Sequence, residues 1–172
     1  TPGPTPTSPA TLTANTDIVT ANVITAPLVF TPGGDDRINS LQDEDDLTGI
    51  GVNPTLNATL GNANDNGGTI ITPILRGIET ANVAFTGSSN TSSGVASNAV
   101  VALDVQDATG LKAVNITRVT QASNEARIEN IRSVLTNMSI SNTNANNEGT
   151  VEFSFAQDVL KGSNTGVLGV NN

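Results

Sequence analysis

The 172-residue chain contains no cysteine and no histidine. Their absence excludes disulfides, thiol nucleophiles, the usual zinc and iron sites, and the side chain that most often serves as an acid or base near neutral pH. Carboxylates and two lysines are the acid/base groups that remain. Catalysis would therefore have to use a pair of carboxylates, as in glycoside hydrolysis, and the composition favours a protein without catalytic activity.

Tryptophan and tyrosine are also absent, and only four phenylalanines occur, which argues against an aromatic platform for sugars or bases. Cationic residues are scarce, since seven Lys and Arg face sixteen Asp and Glu, for a net charge of -9. This balance argues against nucleic-acid or anionic-membrane partners and favours cations. No stretch approaches the roughly 20 apolar residues that a membrane-spanning helix needs.

The chain opens with the Pro/Thr tract TPGPTPTSP, a composition typical of an extended linker. We therefore expect a linker over residues 1–10 and a single β-rich domain over 11–172, a length that supports one core of ordinary size. The first residue is not Met, so we interpret the chain as a segment of a longer polypeptide. The Cys-free, Thr/Asn/Gly-rich composition is typical of secreted bacterial proteins and predicts an extracellular or cell-surface location.

Short runs rich in Val, Ile and Thr recur along the chain between Ser/Asn/Gly-rich loops, and this predicts an all-β fold. Two weak repeats are visible: residues 78–83 (Ile-Glu-Thr-Ala-Asn-Val) align with 111–116 (Leu-Lys-Ala-Val-Asn-Ile), and Ile78-Glu79 aligns with Ile128-Glu129. Such units predict an irregular β-solenoid or β-roll-like stack. The offsets between repeats are unequal, which leaves a β-sandwich as the alternative.

Residues 124–138 fit two kinds of structure. Ile128, Ile131, Leu135 and Met138 would share one face of a short helix, with Asn124 as its N-cap. A pair of strands fits the same residues.

The acidic loop, residues 33–49, concentrates oxygen ligands between glycines. Its candidate metal ligands are Asp35, Asp36, Asn39, Asp43, Asp45 and Asp46. Calcium takes six to eight oxygen ligands in irregular geometry, and a bound cation would relieve the repulsion among these carboxylates. The loop therefore predicts one or a few calcium ions, although its spacing is not that of an EF-hand. A solvated acidic loop that only adds solubility is the alternative.

Other polar residues are weaker candidates. For Asp65, Asp104 and Asp107 we favour turn formation and capping over metal binding. The N-x-[ST] sequons at Asn57, Asn90, Asn115 and Asn137 are expected by chance in a chain so rich in Asn and Thr.

Several motifs resemble modules of bacterial surface-layer and repeats-in-toxin secreted proteins. The motifs are Thr11-Leu12-Thr13 with Asp17, Asp45-Asp46-Leu47-Thr48-Gly49-Ile50-Gly51, Pro54-Thr55-Leu56-Asn57, Pro73-Ile74-Leu75-Arg76-Gly77-Ile78-Glu79, and the rung-like segment 107–117. The resemblance implies a calcium-dependent, secreted structural or adhesive module exported in one step. The tandem G-G-x-G-x-D nonapeptide of that family is missing, so any calcium site in this chain would be an individual one.

We therefore expect a non-enzymatic, extracellular, calcium-binding structural or adhesive module of a large bacterial surface protein. Its partners would be calcium and further copies of itself, or other surface proteins or glycans. One alternative is a metal-independent β-sandwich adhesin that binds glycan or protein. The other is a β-helical enzyme that acts on polysaccharide through acidic residues such as Asp45 or Asp107.

Overall fold

A computed structural model of the chain describes residues 9–31, 33–34, 37–61, 69–86, 100–119, 125–143, 150–157, 159–161 and 168–170. These residues form seventeen strands and no helix, and hence contain no helix able to cross a membrane. Fifteen of the strands lie in three parallel sheets of seven, four and four strands. The predicted all-β class is confirmed.

The three sheets are named A, B and C, and their strands are given in spatial order. Sheet A contains β1 (Ala10–Thr11), β3 (Val23–Ala26), β7 (Thr55–Gly61), β10 (Thr80–Thr86), β13 (Ala113–Val119), β15 (Asn137–Ile140) and β17 (Leu168–Val170). Sheet B contains β12 (Ala108–Thr109), β9 (Ile74–Arg76), β6 (Asp46–Gly49) and β2 (Ile18–Ala21). Sheet C contains β16 (Thr150–Phe155), β14 (Glu125–Ile131), β11 (Val100–Asp104) and β8 (Thr69–Ile71). The remaining strands, β4 (Leu28–Phe30) and β5 (Arg37–Asn39), form an antiparallel hairpin.

The chain visits the sheets in a repeating order. From β6 to β14 it passes through sheets B, A and C three times, and each strand except β8, which is the first strand of sheet C, pairs in parallel with the strand one turn earlier. Such a path is a β-solenoid, so the predicted stack of rungs is confirmed. The β-sandwich alternative is wrong, because a sandwich packs antiparallel sheets face to face whereas these sheets are parallel and joined by successive crossovers.

The register confirms the first sequence repeat. Thr80 pairs with Ala113 and Asn82 with Asn115, as the alignment of 78–83 with 111–116 requires. The second repeat, of Ile78-Glu79 with Ile128-Glu129, is wrong. Ile128 lies in sheet C beside Leu103, whereas Ile78 lies just before β10 of sheet A, so the two pairs do not occupy equivalent positions in the solenoid. The offsets differ chiefly because the segment between sheets A and C spans residues 62–68 in one turn and 87–99 in the next.

The helix alternative for 124–138 is wrong, because β14 and β15 occupy the described part of this region. A β-bulge explains the misleading spacing. The register of β14 against β16 shifts between Ile128 and Ile131, and Asn130 adopts a positive φ of 55°. The extra residue lets Ile128 and Ile131 both face the core although they are three positions apart, which imitates a helical period. The proposed N-cap, Asn124, lies outside the described residues.

One apolar core fills the space between the three sheets. Alternate residues of each long strand point inward, as in β7 with Leu56, Ala58 and Leu60 fully or nearly fully buried. Because the strands stack in register, each inward side chain packs on its counterparts in the neighbouring turns. Burial of this apolar surface is the main favourable contribution to folding.

Glycines stack at the corner where the chain passes from sheet B to sheet A. Gly77 and Gly110 have positive φ values of 64° and 89°, a conformation that favours glycine. A Cβ on Gly49 would lie 2.7 Å from the carbonyl oxygen of Gly77. The turns can therefore approach closely only because these positions lack side chains.

Candidate functional site

Among the described carboxylates of the acidic loop, Asp45 is the fully buried one. Its Oδ1 accepts a hydrogen bond from the backbone N–H of Asp17 at 2.8 Å, and its Oδ2 accepts one from the backbone N–H of Gln42 at 2.8 Å. Burial raises the pKa of the Asp45 carboxyl, the two backbone hydrogen bonds oppose that rise, and the negative charges of Asp17 and Glu44 add to it. This side chain thereby ties two chain segments to the corner before β6.

Further hydrogen bonds join neighbouring turns at the corner before the strands of sheet B. The Oδ2 atom of Asp17 accepts a hydrogen bond from the backbone N–H of Thr13 at 2.7 Å. The carbonyl of Asp17 accepts from the N–H of Asp46 at 3.0 Å, and the carbonyl of Asp45 accepts from the N–H of Ile74 at 2.9 Å. Both aspartates therefore stabilise the stacking of the N-terminal turns.

The other described ligand candidates contact separate partners. Asp43 Oδ1 accepts a hydrogen bond from the backbone N–H of Thr72 at 2.8 Å. Both carboxylate oxygens of Asp46 accept from the guanidinium of Arg76, at 3.0 and 3.1 Å. These bonds join the acidic loop to the next turn of the solenoid.

Asn39 also binds backbone rather than its acidic neighbours. Its side-chain Nδ2 donates to the carbonyl of Gly61, and its Oδ1 accepts from the N–H of Gly61, both at 2.8 Å. The pair fixes the β4–β5 hairpin to the end of β7.

Each described ligand candidate thus already has a protein partner for at least one of its side-chain oxygens. Within the described ranges, no group of three or more Asp and Glu is arranged to hold a metal ion. Asp35 and Asp36 lie outside those ranges. Calcium binding in the acidic loop therefore stays a prediction from the sequence.

Asp104 has the turn-forming role that we favoured from the sequence. Its Oδ1 accepts from the backbone N–H of Gln106 at 2.9 Å, and its Oδ2 accepts from the side-chain amide of Asn130 at 2.8 Å. The first bond closes an Asx-type turn, and the second holds the bulge in β14. Asp107 lies in the turn before β12, where its carbonyl accepts from the N–H of Leu75 at 3.3 Å. Asp65 lies outside the described residues.

The outward face of sheet C carries a charged cluster around Arg127. Its guanidinium pairs with Glu125 on the same strand, and its Nη1 lies 3.5 Å from Glu129 Oε1. Its Nε lies 3.5 Å from Glu152 Oε2 on the neighbouring strand. One positive and three negative side chains meet here, so the cluster remains acidic.

A ladder of side-chain amides runs across the outward face of sheet A. Asn82 Nδ2 donates to Asn57 Oδ1 at 2.9 Å, and Asn115 Nδ2 donates to Asn82 Oδ1 at 2.8 Å. Asn115 Oδ1 in turn accepts from Asn137 Nδ2 at 3.1 Å and from Ser139 Oγ at 2.7 Å. The ladder connects four successive strands of sheet A.

The sequence analysis missed this ladder, although one signal pointed to it. Three of the four sequons have their asparagine in the ladder, at Asn57, Asn115 and Asn137, while Asn90 lies outside the described residues. Side chains two positions apart share one face of a strand, so an outward Asn followed two residues later by an outward Thr or Ser produces the N-x-[ST] pattern. Strand geometry thus accounts for these sequons better than chance composition does.

The first two columns of outward residues along the strands of sheet A, which we name the ladder face, contain no charged side chain, whereas the next outward column contains the exposed Arg118 beside Ala84. The members of the ladder face are Val23, Thr25, Thr55, Asn57, Thr80, Asn82, Ala113, Asn115, Asn137 and Ser139. Nine of the ten are half-buried by their neighbours, and Asn137 is exposed. The face therefore presents short, mutually supported amide and hydroxyl groups.

One open depression lies at the end of sheet C, where Asn130, Arg132, Ala156, Gln157 and Val159 line it. Among the described residues of this lining, Arg132 is the one ionisable side chain.

Fold and side-chain geometry together define an all-β protein built as a three-sheet parallel β-solenoid. No protein-family model matches the chain, and no curated protein or solved structure matches it.

Proposed function

We propose that the chain is a non-enzymatic structural and adhesive module of a large secreted or cell-surface bacterial protein. The observation that carries this proposal is the use of polar side chains in bonds between successive turns of the solenoid. Asp45 bonds to Asp17, Arg76 to Asp46, and Asn82 to Asn57. Such bonds hold successive turns of the solenoid together.

These contacts span the stack in steps of one turn. The partners are 25 residues apart for Asn82 and Asn57, 28 for Asp17 and Asp45, and 33 for Lys112 and Glu79. A typical intramolecular hydrogen bond contributes about 1 kcal/mol net, and a surface ion pair usually contributes less. Repeated at each turn, they add directional resistance to separation of the turns, which suits a load-bearing module.

Residue chemistry supports the same proposal. The chain has no cysteine or histidine, and the buried carboxylate in the acidic loop binds two backbone amides. An extracellular location and calcium binding belong to the proposal on sequence grounds, because the composition suits secretion and oxygen-rich loops suit calcium.

Retention of the purified chain on immobilised polysaccharides and on bacterial surfaces tests the proposal, with and without calcium. We expect saturable retention and no release of soluble sugar. Release of sugar that disappears in both Asp45→Asn and Asp107→Asn variants would contradict it and support the polysaccharide-acting enzyme. An absence of both retention and self-association would also contradict it.

A further inference from the structure

We propose that the ladder face is a homotypic contact surface, through which two copies of this chain pack face to face. This inference rests on the proposed structural function and names the partner that the module would bind.

Charge is the first argument. The chain carries a net charge of -9, so two copies repel each other wherever their acidic surfaces meet. The outward face of sheet C presents Arg127 with three glutamates, and that of sheet B presents Asp46 and Arg76. On sheet A, charged side chains border the ladder face, namely Arg118 on one side and the Glu79–Lys112 ion pair on the other, but the face itself contains none. Two acidic copies therefore meet at lowest electrostatic cost through this face.

Side-chain chemistry is the second argument. The amides of Asn57, Asn82 and Asn115 already bond to one another along the ladder, so covering them leaves fewer groups without partners. Short side chains on parallel strands that are in register over these two columns allow two sheets to approach to about 10 Å. In stacked parallel strands, asparagine ladders along each sheet accompany close packing between paired sheets.

The size of the face sets the expected strength. Five strands about 4.8 Å apart, each contributing roughly 15 Å of length, give on the order of 400 Å² per copy. The total of about 800 Å² is smaller than the 1,200 Å² or more typical of stable complexes. We therefore expect weak pairing in solution, with a dissociation constant on the order of 0.1–1 mM, that becomes effective when copies are held close together on a surface.

Sedimentation equilibrium of the full chain between about 10 μM and 1 mM tests the proposal directly in the concentration range implied by weak affinity. We expect the weight-average mass to rise towards twice that of the monomer. Moderate salt should strengthen association, because it screens the repulsion between acidic copies. A chain that stays monomeric at the highest concentration in both low and moderate salt overturns the proposal.

Two matched variants identify the surface. Thr80→Glu places a carboxylate on the ladder face, and Thr150→Glu places one at an exposed position of sheet C. Both variants have the same net charge, so general repulsion is equal. We expect Thr80→Glu to weaken association at least about tenfold, since like charges would face each other in the contact, and Thr150→Glu to change it less than about twofold. Equal effects of the two variants would overturn the proposal.

Circular dichroism checks that each variant is folded, and Thr55→Glu, one strand away in the same column, replaces Thr80→Glu if that variant unfolds. Retention on polysaccharide separates this inference from the proposed function. A monomeric chain that is still retained overturns the homotypic contact and leaves the adhesive module standing. Retention lost in Thr80→Glu, without any self-association, would assign the face to a glycan and also overturn the proposal.

Discussion

The buried Asp45 carboxylate provides the most direct test of how the acidic loop works. Asp45→Ala removes the acceptor from the N–H groups of Asp17 and Gln42. An unsatisfied buried donor costs about 1–3 kcal/mol, and the loss is partly offset because a desolvated charge is also removed. We expect the free energy of unfolding to fall by about 2–4 kcal/mol.

Urea unfolding followed by circular dichroism measures this change, because a lower midpoint at unchanged slope reports lost stability. The matched control is Asp43→Ala, since Asp43 is exposed and accepts one hydrogen bond, from Thr72. We expect the free energy of unfolding to fall less in this control. An Asp45→Ala variant no less stable than Asp43→Ala would refute the assignment of Asp45 as the anchor of the corner.

The pH dependence of Asp45 gives a second, independent measurement. Burial raises the pKa of its carboxyl above the ordinary value of 3.8. A raised pKa means that the folded state binds the proton more tightly than the unfolded state, so the ionised form costs stability at neutral pH. That cost is released as the pH falls through the folded pKa towards 3.8.

Asp45→Asn cannot ionise, so it isolates this contribution while the other carboxylates cancel in the comparison. We expect the free energy of unfolding of the wild type, minus that of Asp45→Asn, to increase as the pH is lowered from 7 towards 4. A decrease in this quantity would show that the two backbone hydrogen bonds, or a bound cation, hold the pKa below 3.8.

Three further predictions concern the corner, the ladder and calcium. Gly49→Ala should lower the urea midpoint more than Gly34→Ala, because a Cβ at Gly49 would lie 2.5 Å from the Cβ of Pro54 and 2.7 Å from the carbonyl oxygen of Gly77, while one at Gly34 meets open space and costs only the strain of a positive φ of 78°, roughly 1–2 kcal/mol; equal losses would contradict close stacking. Asn82→Ala, which breaks two ladder bonds, should accelerate amide hydrogen exchange in β10 and its neighbours more than Asn137→Ala, which breaks one; the reverse order would contradict it. Calcium should raise the thermal midpoint of the EDTA-treated chain if the acidic loop, residues 33–49, binds it, and identical midpoints would refute calcium binding.

Local alternation made the strands predictable. The outward and inward residues of β7 follow a period of two that is visible in residues 54–60 alone, and the alignment of 78–83 with 111–116 matches the observed register of β10 and β13. The alternation depends on neighbouring residues only, and the repeat can be read by comparing two segments of the sequence. The bulge at Asn130 was not predictable, because it is defined by the register of β14 against β16.

The candidate site was predictable in its chemistry but not in its partners. Composition identified the acidic loop as rich in oxygen ligands, yet the contacts of its described members are with residues such as Gly61, Thr72 and Arg76, between 22 and 30 positions away. These partners become neighbours only when the solenoid turns stack. The amide ladder depends on register in the same way, so its asparagines resembled chance sequons in the sequence.

The polar bonds between turns have a role that the core cannot fill. Hydrophobic burial is non-directional, and a strand of sheet A that slipped by two residues would keep its inward side chains inside. Such a slip would, however, separate Asn82 from both Asn57 and Asn115, and an equivalent slip in sheet B would separate Arg76 from Asp46. The core therefore supplies most of the folding free energy, while the ladder and the acidic corner select one register. A module that needs a fixed register throughout its stack has reason to place its asparagines and aspartates at these positions.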